Sequence, residues 1–248
     1  MVGETKSGTP VPEDSNKENS PHVQSKSAPV IKMGTKNRIL ASAIALFNQE
    51  GVHSVSIRTI AQEVGISPGN FSYHFKNKQV LIRYFYHNTY QEIHHKIDHV
   101  LQHESGLFRL NRVLEEIFAF TEKYRFFFRD IVDIFRMCPD LRQAFVQDYE
   151  QFKVYYLDMF RYFVQSGWMK KPSVPEEWNN LVHHIWTATI FAPAHKDILP
   201  EGSSFQKSDY SIVQIWSFIK PRMTEEGLLA WEKMHAVNTV AKSLSQWI

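Results

Sequence analysis

The sequence predicts an all-α fold, a three-helix unit followed by a helical bundle, and three observations carry that prediction. From Ile39 onward apolar residues recur at i, i+3, i+4 and i+7, the period of a helix with one buried face. Gly51, Gly65, Gly106, Pro139, Gly167 and Pro200 punctuate these runs. No stretch alternates apolar with polar residues as a half-buried strand would.

The 248 residues exceed the commonest domain size, so either one large helical body or a small domain joined to a larger one is expected. With 43% hydrophobic and 22% charged residues the chain can bury a core and is too apolar to stay disordered. A single cysteine, Cys138, excludes an intrachain disulfide framework and any cysteine-rich zinc module, and fits a reducing compartment. No apolar run approaches the roughly 18 residues needed to span a bilayer, and no secretory leader is apparent, so no membrane partner and a cytoplasmic location are expected.

Residues 1–34 are rich in Ser, Pro, Lys, Glu and Gly, lack aromatics and read as a disordered tail. Ile39, Leu40, Ala43, Ile44 and Phe47 then define a first helix near 36–49, stopped by Gly51. Ser56 is placed to cap a two-turn second helix whose inner face is Ile57, Ile60, Ala61 and Val64. Gly65 can take the left-handed conformation that ends it, Ile66 can pin the turn, Ser67 can cap and Pro68 suits a first helical position. A third short helix follows at once, with Phe71 and Phe75 inward and Gly69, Asn70, Ser72, Tyr73 and His74 on or near its open face. Two short helices joined by a tight glycine turn form a helix-turn-helix, whose second helix has the dimensions of the DNA major groove.

Charge distribution agrees with that reading. Between Lys32 and Tyr90 seven basic side chains face only Glu50 and Glu63, a local charge of +5 in a chain whose total is +2. A fourth helix is expected from about Asn77 to His103, opened by the lysines at 76 and 78, with others at about 107–121, 124–136, 139–166, 176–196, 208–219 and 224–245. The motif places residues 35–80 in a DNA-binding domain and 81–248 in a C-terminal helical domain.

The run from Ile39 to Leu81 resembles the tetracycline-repressor (TetR) family. The likeness lies in Phe47-x-x-x-Gly51, Ile60-Ala61-x-x-x-Gly65-Ile66-Ser67-x-Gly69 and Tyr73-His74-Phe75-Lys76-Asn77-Lys78. It implies that Arg58 reaches a base or a phosphate, that Gly69, Asn70 and Tyr73 lie on the recognition helix, and that His74 and Lys78 contact phosphates. Thr59 is a further phosphate candidate, because a short hydroxyl near a helix start can donate to an oxygen. Ser72 stands where the family usually has tyrosine, which puts the operator sequence in doubt. The stretch Tyr124 to Asp130, with the helix start at Pro139, resembles the C-terminal domain of one TetR subgroup.

The resemblance implies a double-stranded DNA operator as partner and a small-molecule effector in the C-terminal domain, with Phe120, Tyr124, Phe127, Tyr155 and Tyr156 as candidate contacts; ordinary core and dimer interface are the other reading of those aromatics. Helix-turn-helix readers need paired half-sites, so a homodimer is expected, built on Ile185, Trp186, Ile190, Phe191, Val213, Trp216 and Phe218. His95, His99 and His103 share one helical face, but the outer two stand about 12 Å apart at 1.5 Å per residue, too far to share one ion, so a solvated or pocket-edge face is expected and no metal. No nucleophile, zinc or phosphate-loop motif occurs, so neither catalytic residue nor cofactor is expected. A DNA-binding regulator, most simply a repressor released by an effector, leads; an architectural DNA-binding protein and an enzyme are the rivals.

Overall fold

The computed structural model describes residues 34–200, 202–203 and 210–245, with side chains at 210 and 239–245 left undescribed; the expected tail at 1–34 and the start of the helix expected at 208 fall outside that range save for Gly34. Eleven α-helices follow one another among the described residues. They are α1 (Thr35–Glu50), α2 (Ile57–Val64), α3 (Pro68–His74), α4 (Lys78–His103), α5 (Gly106–Lys123), α6 (Arg125–Arg129), α7 (Ile131–Met137), α8 (Pro139–Gln165), α9 (Glu177–Ile198), α10 (Tyr210–Ile219) and α11 (Glu225–Ser245). Among the described residues the one extended pairing is an isolated antiparallel bridge between Met169 and Met223. No described helix is long and apolar enough to cross a membrane.

Where the sequence carries caps and a breaker, the helices start and stop on them. Ser56 Oγ accepts from Thr59 N, Ser67 Oγ from Asn70 N and Asn77 Oδ1 from Val80 N, each satisfying an amide that the helix leaves unpaired. Gly65 sits at φ 72°, ψ 39°, a left-handed turn that a side chain would resist, and its amide closes back on Ala61 and Gln62.

The expected single helix at 124–136 is two. Asp130, at φ −101° and ψ 18°, interrupts it, and its Oδ2 accepts from Val52 N at 2.8 Å. The break turns a carboxylate toward the loop after α1, a long-range contact that periodicity does not encode.

Two apolar cores result. The first joins Ile39, Phe47, Ile60 and Phe71 of the first three helices to Phe85 and Tyr86 of α4 and to Phe126, Phe127 and Phe128 of α6. The second is built from α5, α8, α9 and α10, with Leu110, Tyr156, Phe160, Ile185 and Ile215 fully buried. Part of the expected dimer face is spent here: Ile185, Ile190 and Trp216 are buried within the protomer, Trp186 and Phe218 are half-buried, and Phe191 and Val213 are about half exposed at 50% and 53%. The helical period marks which residues are apolar but not which neighbour covers them.

Candidate nucleic-acid interface

Helix α3 stands on its aromatics. Phe71 and Phe75 are buried at 0% and 1% exposure with ring centroids 6.1 Å apart, which leaves Gly69, Asn70 and Ser72 exposed and Tyr73 86% exposed. A large aromatic held this far out buries little apolar area in the protomer, and most of its surface is open to meet another molecule. The Tyr73 ring packs edge-on against His74 at 5.1 Å. Arg58 is exposed at the start of α2, and Thr59 Oγ1 shares a 2.8 Å hydrogen bond with the capping Ser56. Six of the seven predicted residues thus lie on α2 and α3, with α2 held to α1 by the Arg38 guanidinium, which donates to Val64 O.

Lys78 is engaged elsewhere. Its Nζ donates to Val52 O at 2.7 Å and to Val55 O at 2.8 Å, and burial holds its pKa below the ordinary value. An ammonium spent on two carbonyls of the loop between α1 and α2 fixes that loop, and with it the start of α2.

A seam that sequence reasoning missed ties these helices to the remainder of the chain. The Asn48 side chain donates to Lys123 O and accepts from Phe126 N, both at 2.9 Å. Arg129 donates to Phe47 O at 3.0 Å, placing positive charge at the carbonyl end of α1, and pairs with Asp197 of α9 at 3.4 Å. Phe126 packs on Phe47 and Phe85 at 5.2 and 4.9 Å. The only sequence signal for this seam is the charged pair Arg129-Asp130 directly after three phenylalanines.

Beyond the seam, a cavity of about 220 Å³ opens between α4, α5, α8 and α9. Phe120 and Tyr155 line it, as do Tyr90, Phe152 and Trp186. Three other expected contacts are core residues instead. Tyr124 is 3% exposed with its hydroxyl 3.3 Å from Glu92 Oε2, Phe127 is fully buried against Phe85, Tyr86 and Tyr90, and Tyr156 is fully buried with its ring 4.3 Å from Phe152. Which aromatic faces the cavity depends on helix rotation within the bundle, which composition does not reveal. Ile97 and Leu101 are half-buried and also face this space.

Polar groups at the cavity converge on Asp148 of α8. The Tyr86 hydroxyl donates a short hydrogen bond to its Oδ2, and His94 Nε2 lies 3.6 Å from Oδ1. That carboxylate, by hydrogen bond and by charge, raises the His94 pKa. The histidine row makes no comparable cluster: His99 and His103 stack at 4.1 Å, and no group of three or more His, Cys, Asp or Glu side chains suited to an ion occurs among the described residues. Cys138 is buried, and desolvation raises its thiol pKa.

Residues 39–85 match the family model described as bacterial regulatory proteins of the tetR family, and residues 88–230 match that of a bacterial transcriptional repressor. The chain is 36% identical over 61 residues to a Bacillus subtilis protein described as a probable HTH-type transcriptional regulator, YttP, covering 25% of this chain and 30% of that protein's length. It is 29% identical over 142 residues to an HTH-type transcriptional regulator of Staphylococcus aureus strain USA300, covering 48% and 72%. Among solved structures, a TetR-family transcriptional regulator from Marinobacter aquaeolei superposes with a TM-score of 0.68 at 25% identity, over 81% of this chain and 98% of that one. A transcriptional regulator from Saccharomonospora viridis, solved in complex with choline, shares the fold at a TM-score of 0.63 and 18% identity, over 77% and 97%.

Proposed function

The chain belongs to the TetR family of bacterial transcriptional regulators, and from that premise we propose that it is a homodimeric repressor that holds operator DNA with α3 and releases it when a small molecule fills the cavity beside α4. The observation that carries this reading is the continuity of α4, which begins at the Asn77 cap beside α3 and lines the cavity with Tyr90, Ile93 and Ile97 about four to six turns further on. A ligand that fits better when α4 is displaced lowers DNA affinity by linkage, because the recognition helix moves with it.

In this reading residues 35–80 form the DNA-reading part and 81–248 the part that dimerises and binds the effector. Asn70 and Tyr73 reach base edges with Gly69 allowing close approach, while Arg58, Thr59 and His74 meet phosphates. Lys78 acts by holding the loop before α2. The two-fold partner covers the outer faces of α9 and α10, where Phe191, Val213 and Phe218 remain exposed or half-exposed. The choline-bound neighbour makes a small ligand in this fold concrete.

Mapping DNA occupancy across a host genome tests the regulatory role. A few promoter sites are expected, and Asn70→Ala should lose roughly 1–3 kcal/mol on those sites while keeping its weak affinity for random duplex. Dispersed occupancy without preferred sites would point to an architectural protein, and a monomeric mass at micromolar concentration would rule out the paired arrangement.

A further inference from the structure

The cavity has a charge as well as a size. The ionisable side chains that line it, among the described residues, are His94, Asp98 and Asp148, along with the phenols of Tyr90 and Tyr155, and no lysine or arginine is among them. With His94 neutral the lining carries two negative charges, and with His94 protonated it still carries one. Asp148 sits mostly out of water, its side chain 19% exposed, with the Tyr86 hydroxyl on its Oδ2 and His94 Nε2 3.6 Å from its Oδ1. A largely buried carboxylate whose neighbours are a neutral hydroxyl and one half-exposed histidine is stabilised by a full positive charge brought against it. The Tyr155 hydroxyl is buried with no hydrogen-bond partner, a second polar atom unspent in the same lining. Around these groups stand the rings of Tyr90, Phe120, Phe152 and Trp186, whose electron-rich faces attract ammonium groups.

Volume sets the scale of the occupant. A cavity of about 150 Å³ accepts benzene, so the 220 Å³ here suits a body of roughly ten heavy atoms. Building on the release mechanism above, we propose that the effector is an organic cation of this size with an apolar body, its ammonium seated at Asp148 and its body among Phe120, Phe152 and Trp186. Anionic ligands are rejected by the same carboxylates, and neutral ones leave Asp148 without the countercharge. Because Asp148 also accepts from Tyr86, a residue of the core shared with α1 to α3, the ammonium binds at a group that already links the cavity to the DNA-reading helices.

Three probes on one phenylbutyl frame separate charge from shape: 4-phenylbutylamine, 4-phenylbutanol and 4-phenylbutyrate. Calorimetric titration of the full chain should give the amine at least tenfold tighter than the alcohol, with no binding of the carboxylate. Asp148→Asn, which keeps an acceptor for Tyr86, should bring the amine down to the affinity of the alcohol; should that variant fail to fold, the ranking of the three probes on the unmodified chain still decides. Equal or tighter binding of the alcohol or carboxylate, an unchanged amine affinity in Asp148→Asn, or binding of none of the three would overturn the proposal. Release of operator DNA is followed in parallel. Asp148-dependent amine binding that leaves the DNA complex intact would support the cation site and sink the release reading, whereas release by the alcohol or carboxylate alone would do the reverse.

Discussion

Helices α2, α3 and α4 each begin on a side-chain cap, from Ser56, Ser67 and Asn77, whereas α5 to α9 begin without one. The first group has its starts fixed by side chains within four places of them, in addition to the contacts it makes with the rest of the core. The second is positioned by what it packs against; together with α4 it encloses a cavity, and it leaves the Tyr155 and Tyr156 hydroxyls unpartnered. Rigid local geometry suits a surface that must present Asn70 and Tyr73 in one arrangement. A bundle held by packing suits a body that must respond to an occupant, since such contacts can be exchanged for others of similar energy.

The largest expected effect tests where the two regions meet. Phe126→Ala removes a ring that packs on both Phe47 and Phe85 and should cost about 4 kcal/mol, as buried aromatic truncations do. If the seam couples the regions, amides in α1 and in α6 should lose hydrogen-exchange protection together. Loss confined to α6 would make α1 and the helices packed on it independent of the seam.

Next in size is a contrast within the basic residues. Lys78→Met leaves the carbonyls of Val52 and Val55 without their ammonium and should cost about 2 kcal/mol in denaturant unfolding. It should not change how DNA affinity falls with salt. Arg58→Ala should do the opposite, leaving stability intact and reducing the salt slope by about 0.9 per protomer, since a lost phosphate contact releases fewer counterions. Should Lys78→Met alter the slope and Arg58→Ala not, the roles assigned to the two would have to be exchanged.

The capping difference can be measured directly. Ser67→Ala removes the acceptor of Asn70 N and should cost about 1 kcal/mol. Ser105→Ala, at the equivalent position before α5, removes no cap bond and should be close to neutral. Matching losses in thermal unfolding would erase the distinction between the regions.

The smallest effect is a pH dependence. His94 has a folded-state pKa raised above its ordinary 6.5 by Asp148, so its contribution to stability is present in full below that value. It is lost as pH rises through the raised pKa. The side chain is 43% exposed, so screening keeps the term well under about 1 kcal/mol. Asp148→Asn should flatten the stability profile across this window, and an unchanged profile would detach His94 from Asp148.

By itself the sequence determined the all-α class, the starts of α2, α3 and α4, the left-handed turn at Gly65 and the outward face of α3. Each depends on residues close in the chain: a serine three places before an amide, a glycine where φ must be positive, two phenylalanines four apart. Tertiary structure alone decided the rest. It split the expected helix at Asp130, whose carboxylate accepts from Val52 N, and it turned Lys78 toward two loop carbonyls. It sent Tyr124, Phe127 and Tyr156 into the cores while leaving Phe120 and Tyr155 at the cavity, and it buried Ile185, Ile190 and Trp216 inside one protomer. Apolar period records that a face is covered, but the partner that covers it is fixed by helix rotation and by contacts between residues tens of positions apart, to which local spacing is blind.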